Sequence, residues 1–479
     1  MRTWTDRYSA AAGAAVAVLL LVPGLKALLA GLARQADPSG IGAGLALVVL
    51  GYAGYLALLR RFGPVAVSAP DAAWRVLSPQ PRRRVLRRTA GVLAAVSVAA
   101  GLLMGVGLLS AFGAPDRFAL RLLTAGVTGV SATTGAMAVA VLAQASPGWE
   151  AWLPVIIVVV VAVAVPAVVL GGGPGRPLLV AVAGAPVQAL AAVAVAAAGA
   201  AAVLVRHAWT ALDRVPAHRI LDASTRTGNA ATAAFLLDPS VLTRIAEDEH
   251  WRHRSLRSRP WPTRPPQPMA LAWADWRRLS RRPGRAALLA AGAALPAVAA
   301  QAGGGLTAPV VVLVAAGAMT AAAQGTAGAS RDNDDPALRR LAATGGPALT
   351  AARIALPALT GGAWLAAALT GLVLCGALGG GPWWLFGPAA APVLAAAALR
   401  MARRGPVDHA MPLMPTPFGM VSSGPLIWAV TGVDLAVLGC VPVLSALAAR
   451  PSDLGSSLVA QAAVGVVIAA VWVLRPPRR

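Results

Sequence analysis

The sequence predicts an all-α, polytopic membrane protein of about twelve transmembrane helices, arranged as two pseudo-repeated halves of six. Three observations predict it. Hydrophobic residues make up 57% of the 479 residues, and the mean hydropathy is positive. The charged residues, 12% of the chain, gather in gaps between long apolar stretches. Nearly all of the positive charge falls in alternate gaps. An apolar stretch of about 20 residues crosses a ~30 Å hydrocarbon layer as a helix. Lipid offers the backbone no hydrogen bonds, so such stretches must satisfy their own.

The expected spans run near 10–33, 40–59, 89–113, 119–143, 150–170, 186–205, 285–302, 306–329, 351–376, 384–401, 426–446 and 456–474. Two gaps between them are short: the uncharged Gln144–Gly148 and the tight Gly303–Gly305. The gap 60–88 holds eight Arg and one Asp, and 206–284, 400–425 and the tail 475–479 are also basic. The intervening gaps hold little beyond Asp116 and Arg117, Arg176, Arg450 and Asp453. Positive charge is retained in the cytoplasm, so both termini are expected there, with the chain in the cell's inner (cytoplasmic) membrane. The first span lacks a small-residue cleavage site and reads as retained rather than as a signal peptide.

A net charge of +23 raises the question of nucleic acid. The placement of the charge argues against it, because the Arg clusters abut the spans, where they orient the chain and meet anionic lipid head groups. The lipid bilayer is the expected partner. The two cysteines, Cys375 and Cys440, fall inside apolar spans and make neither a disulfide framework nor a metal site.

The chain is expected to divide into a first membrane half (1–205), a cytoplasmic linker (206–268) and a second membrane half (269–479) that opens with an amphipathic helix. The gap after the second span of each half carries the same pattern. The first reads Asp71-Ala-Ala-Trp74-Arg75-Val-Leu77, and the second Asp335-Pro-Ala-Leu338-Arg339-Arg-Leu341. Both are D-x-A-[W/L]-R-x-L, at matching places in the order of spans, which argues for internal duplication. Each is expected to form a short helix, with Asp in the first turn, Pro336 at the first position of the second copy, and Gly345-Gly346 ending it. Trp74 and Leu77, like Leu338 and Leu341, stand three apart and give one apolar edge. An ordinary basic loop that merely orients the protein would carry much of the same composition.

Met269, Ala272, Trp273, Trp276 and Leu279 recur at three-to-four spacing, with Asp275, Arg277, Arg278, Arg281 and Arg282 around them. This predicts an amphipathic interfacial helix before the seventh span, with Pro283-Gly284 bending the chain into the membrane.

Catalytic patterns are missing. A P-loop needs a Lys after Gly, and Lys26, the single Lys, lies in Pro-Gly-Leu-Lys-Ala. The five His, at 207, 218, 250, 253 and 409, all lie in cytoplasmic gaps; the pair 250/253 sits among Arg that would repel a cation. No enzymatic activity and no cofactor are expected. Within the spans, ionisable residues are rare. Asp434 lies inside the eleventh span and Arg121 near the outer end of the fourth, and both are candidates for a translocation path. The alternative for Asp434 is that it caps a helix beginning later than the apolar run.

On this plan the chain resembles the permease subunit of an ABC-2-type exporter, in a fused two-half, twelve-pass form. In that family six spans make each half, an elbow helix precedes the first, and a coupling helix between the second and third presses on a separate ATPase. Met269–Arg282 resembles the elbow. Asp71, Trp74, Arg75 and Leu77, with Asp335, Leu338, Arg339 and Leu341, resemble the coupling helices. Arg403-Arg404-Gly-Pro406-Val-Asp408, Met411-Pro412 and Thr416-Pro417-Phe-Gly419 resemble a pattern in twelve-pass proteins of high-GC bacteria that accompany ABC ATPases. The resemblance implies an ATPase subunit as partner and, because two halves are fused, no second permease chain. Gly171–Pro186 would be the outer re-entrant segment of the first half, where the second half has only Ala448–Ser456. A major-facilitator carrier shares the six-plus-six plan, but its G-x-x-x-D-R-x-G-R-R loop is missing. A membrane-embedded transferase would place acidic residues at the outer surface, where this chain has almost none.

Overall fold

The computed structural model describes residues 37–67, 74, 80–114, 116–171, 173, 175–235, 267–335, 337, 346–405, 407–408, 410–416 and 419–474. The first expected span, 10–33, lies outside them. The chain is an all-α polytopic membrane protein. Among the described residues nine helices are long and apolar enough to cross a membrane, and a tenth span is a bent pair. Contacts divide the chain into two compact units, residues 1–228 and 229–479.

In the first unit the spans are α1 (Ile41–Phe62), α2 (Arg82–Phe112), α3 (Phe118–Ala145), α4 (Pro147–Gly171) and α6 (Val187–Ala211). A short helix, α5 (Arg176–Ala183), fills the Gly171–Pro186 stretch. Helix α2 starts seven residues earlier than its apolar run, because the Arg-rich segment after Pro81 already forms its first two turns. Helix α3 is the hub: more than half of its membrane-length window is buried, against a third or less for the other spans of this unit. Helices α2, α4 and α6 all pack on it. The closest approach is with α2, where a Cβ on Gly129 would collide with the carbonyl oxygen of Gly101. Thr133, fully buried, spans the same contact by donating to the carbonyls of Ser97 (2.7 Å) and Gly129 (3.0 Å). Small residues let helix backbones touch, and dispersion and interhelical hydrogen bonds then replace the hydrophobic drive that lipid does not supply.

The linker is partly helical, in a segment that is amphipathic rather than apolar and so does not stand out as a span. Helix α6 runs to Ala211, one 3₁₀ turn follows, and α7 (Ala217–Phe235) turns back against the unit. Val215 and Ile220 are fully buried with Val65, Leu86 and Leu142 at this end. The expected linker therefore begins inside the first unit's core.

In the second unit α8 (Gln267–Ser280) is the amphipathic helix, within two residues of its expected limits. The seventh span is α9 (Pro283–Gly292) followed by α10 (Leu295–Ala302). The eighth is α11 (Ala308–Gln324) and α12 (Ala327–Asp334), which meet at 60°. The bend falls at Gly325, packed directly on the backbone of Leu356 and Pro357. The ninth and tenth are α13 (Gly346–Leu374) and α14 (Phe386–Ala402), each with half or more of its window buried. Gly346 opens α13 rather than ending a coupling helix. Phe386, Leu369, Leu372 and Val393 form the fully buried centre. Helix α14 repeats the part of α3: the ninth, eleventh and twelfth spans pack on it as α2, α4 and α6 pack on α3.

A short antiparallel hairpin, β1 (Leu413–Thr416) with β2 (Gly419–Ser422), lies between α14 and the eleventh span and pairs Leu413 with Ser422. The eleventh span is not one helix. It consists of α15 (Gly424–Val430), α16 (Val433–Gly439) and α17 (Val441–Ala449), and α18 (Gly455–Leu474) closes the chain. Its second break is held by Gln461 of α18, whose side chain has no solvent exposure. The Gln461 amide donates to the Gly439 carbonyl (2.9 Å) and accepts from the Val443 N–H (3.3 Å). Those two groups, four residues apart, would otherwise bond to each other, so Gln461 is inserted into the helical ladder.

Candidate functional site

Chemistry in this chain is concentrated where charge meets the ends of the spans. In the first unit one end gathers the last turn of α1, the start of α2, the α3–α4 turn and α7. Gln144 clamps the irregular segment leaving α1, accepting from the Val65 N–H (2.9 Å) and donating to the Val65 carbonyl (3.2 Å). Ser224 of α7 accepts from the Val67 N–H at 3.0 Å. Arg83 pairs with Asp213 (2.7 Å), and Arg219 with Glu150 (2.8 Å). The segment that follows Val67 thus leaves from a fixed frame. Of the expected coupling residues there, Asp71, Arg75 and Leu77 lie outside the described residues. Trp74 is helical and 81% exposed.

Arg121 lies at the opposite end of this unit. Its side chain is 4% exposed, and all three guanidinium nitrogens are engaged. Nε donates to Asp116 (2.7 Å), Nη1 to the Ala183 carbonyl (2.9 Å) and Nη2 to the Ala185 carbonyl (3.1 Å). The cation caps the C-terminus of α5, where the carbonyls are otherwise unpaired. Its observed work is to hold the short helix.

The second unit carries a charge cluster that span-by-span reading passed over. Arg353, in the second turn of α13, is 6% exposed. Its Nε and Nη2 donate as a fork to both oxygens of Asp332 on α12 (2.8 and 2.9 Å). Its Nη1 donates to Asp275 on α8 (2.6 Å), and Arg278 donates to the other Asp275 oxygen (3.0 Å). Burial raises the Asp275 carboxyl above its ordinary value, and the two guanidiniums oppose this without cancelling it. Burial, with Arg331 nearby, lowers Arg278. A Cβ on Gly328 would collide with Arg353 Nη1 and Asp275 Oδ1, so the cluster needs a glycine one turn before Asp332. The signal for it was an Arg just inside the ninth span, a position that is costly in lipid unless paired.

Three residues beyond Asp332 begins the second expected coupling segment. The backbone N–H of Asp335 closes α12 on the Arg331 carbonyl (2.9 Å), and its carboxylate accepts from the Ala337 N–H (3.0 Å). Leu338, Arg339 and Leu341 lie outside the described residues.

Asp434 lies in the first turn of α16, after the break at Thr431-Gly432, so it serves a helix that begins later than the apolar run. Oδ1 accepts from the N–H groups of Gly432 and Leu435, both at 2.8 Å. Oδ2 pairs with Arg400 in the last turn of α14 (3.0 Å). A carboxylate at a helix start and a guanidinium at a helix end each complement the local dipole. Nearby, Arg404 stacks over the Trp428 ring at 3.3 Å and donates to its carbonyl (3.0 Å).

Comparison with curated proteins and with solved structures gives no significant match to either. Residues 39–412 match DUF6297, a family of unknown function. The matched stretch takes in Arg121, the clamped exit from α1, the Asp275–Arg353–Asp332 cluster and both copies of the D-x-A-[W/L]-R-x-L pattern; Asp434 and Gln461 lie beyond it. With most of its length matched, the chain belongs to the DUF6297 family.

Proposed function

We propose that this chain is the permease subunit of an ABC-type exporter, with two six-span halves fused in one polypeptide and a separate ATPase as its motor. Both termini and the Arg-rich ends then face the cytoplasm of a bacterial cell, and the ATPase engages Asp71–Leu77 and Asp335–Leu341. The observation that carries the reading is the shared plan of the two units. In each, the third, fifth and sixth spans of the half pack on the fourth, and the segment after the second span leaves from a frame of fixed polar contacts. Pseudo-repeated halves around a common core are the usual build of alternating-access transporters.

The position of α8 supports the same reading. Its apolar stripe of Met269, Trp273 and Trp276 is exposed, and Asp275 on the opposite side is buried. An elbow helix lying in the head-group layer and pinned to its own half would have this form. Arg121, Asp434 and Arg400 then belong to the framework of the spans, and the broken eleventh span is the segment best suited to line a path, since irregular backbone at membrane depth is tolerated where it faces protein or a cavity.

Copurification tests the reading. Membranes in which the chain is co-expressed with an ABC ATPase from the same genome should yield a stable complex. The permease purified alone should hydrolyse no ATP. Transport by the lone protein on a proton gradient would favour a secondary carrier and reject the proposal.

A further inference from the structure

We propose that Asp275, Arg353 and Asp332 form a latch that makes α8 and α12 move as one body, so that a push on the loop after Asp335 is delivered to the amphipathic helix. The inference rests on the permease reading and adds to it the route by which the second loop acts.

The geometry is specific. One guanidinium bridges two carboxylates that come from residues 78 and 21 positions away in the chain. A forked Arg–carboxylate pair fixes orientation as well as distance, so Asp332 cannot rotate or slide without drawing Arg353 with it. Arg353 in turn holds Asp275, and through it α8. The arm that carries Asp332 is α12, eight residues long, joined to α11 through the 60° bend. A short arm beyond a bend pivots with little disturbance of the span behind it. At its far end the arm leads directly into the segment 335–345.

Burial grades the cluster. The side chain of Asp275 is 2% exposed and that of Asp332 is 15% exposed. The bond on the loop side is therefore the more solvated of the two. Arg353, 6% exposed, makes both bonds, so neither carboxylate can part from it without leaving a buried guanidinium partly unpaired. A buried ion pair contributes weakly to stability compared with apolar packing, and its better-attested use is to select one arrangement over another. A contact of that kind keeps α8 and α12 in one relative position when either is pushed.

Hydrogen–deuterium exchange of the full chain in lipid nanodiscs tests the latch directly. In Asp332→Asn, exchange should rise together in 327–334 and in 267–280, by roughly 5- to 150-fold, the ordinary range for coupled sites. Helix α14 should stay as in the wild type. Gly328→Ala leaves every charge in place and should produce the same paired response by wedging Arg353 from Asp275. Arg353→Lys should give the same paired response, since an ammonium keeps the charge but not the fork. With the co-expressed ABC ATPase, all three variants should still copurify the partner and should lose its stimulation by the permease. Exchange that rises in 327–334 alone would overturn the latch, as would loss of partner binding along with stimulation. If the wild type itself binds no ATPase, the permease reading fails, and the exchange result decides the latch independently.

Discussion

Replacing Gln461 by Leu removes a side chain that satisfies two backbone groups in the interior of the second unit. Leu is close in size but branched and slightly larger, so the lost hydrogen bonds are the main change and a packing cost adds to it. The Gly439 carbonyl and the Val443 N–H lose their partners at 2.9 and 3.3 Å, in a position with no solvent exposure. Side-chain hydrogen bonds inside membranes average about 0.6 kcal/mol and reach about 1.7. A buried group left without a partner costs about 1–3 kcal/mol. Two such groups, partly relieved where the freed carbonyl and N–H approach each other, give a loss of about 1–3 kcal/mol, or roughly 5- to 150-fold in the folded population. Gln461→Glu should be worse, because its carboxylate would face the Gly439 carbonyl and bring a charge into an apolar site. Thermal unfolding of the purified protein in detergent, followed by size-exclusion fluorescence, should rank the wild type above Leu and Leu above Glu. If the Leu variant is as stable as the wild type, Gln461 does not hold the break in the eleventh span.

Gly129→Ala should lower the thermal midpoint through an overpacking cost of about 1–3 kcal/mol, because its Cβ would meet the backbone of α2. Gly126→Ala on the same helix, where the nearest atom would be 4.0 Å away, should be close to neutral, and equal shifts would contradict the packing. Trp74→Ala and Leu338→Ala should weaken ATPase binding by about 2 kcal/mol or more if each is an apolar knob in the partner's groove. Trp74 should be the costlier, and partner yield read by quantitative copurification should leave membrane insertion unchanged. If Arg82–Arg84 matter and Trp74 does not, the loops only carry topogenic charge. Single cysteines at positions 84 and 340 should react from the cytoplasmic side and one at 117 from outside; external reaction at 340 would reverse the second half.

The apolar runs made most of the architecture legible, because a lipid-spanning helix must announce itself in about 20 consecutive residues. Ten of the eleven expected spans on described residues coincide with a helix or a consecutive helix pair, and α8 falls where the Met269-to-Leu279 spacing put it. The eleventh failed for a local reason. Its run is apolar but for a few residues, of which Asp434 offered the first break as the cap of a later helix; nothing in the composition reveals that the Gly439-to-Pro442 stretch breaks it again, or that Gln461 will mend that break. The same blindness hid the charge cluster. Arg353 reads as one basic residue near a span end, and Asp332 as part of the acidic run 332–335; only folding brings them to Asp275. Helix α7 escaped a search for long apolar runs because it is amphipathic and polar on average, with Ile220, Ala223 and Ser224 as its buried side. Arg121 and Asp434 were legible as unusual, and Asp116, Gly432 and Leu435 are near them in the chain, but the carbonyls of Ala183 and Ala185 and the guanidinium of Arg400 are not.

The proposed function requires a separate motor. The most direct measurement is the ATP hydrolysis rate of a co-expressed ABC ATPase, alone and together with this chain, in lipid nanodiscs. If the proposal holds, the chain changes that rate several-fold, and Trp74→Ala combined with Leu338→Ala abolishes the change while the spans remain folded. An ATPase rate indifferent to the chain, or a change that survives removal of both side chains, would contradict the proposal.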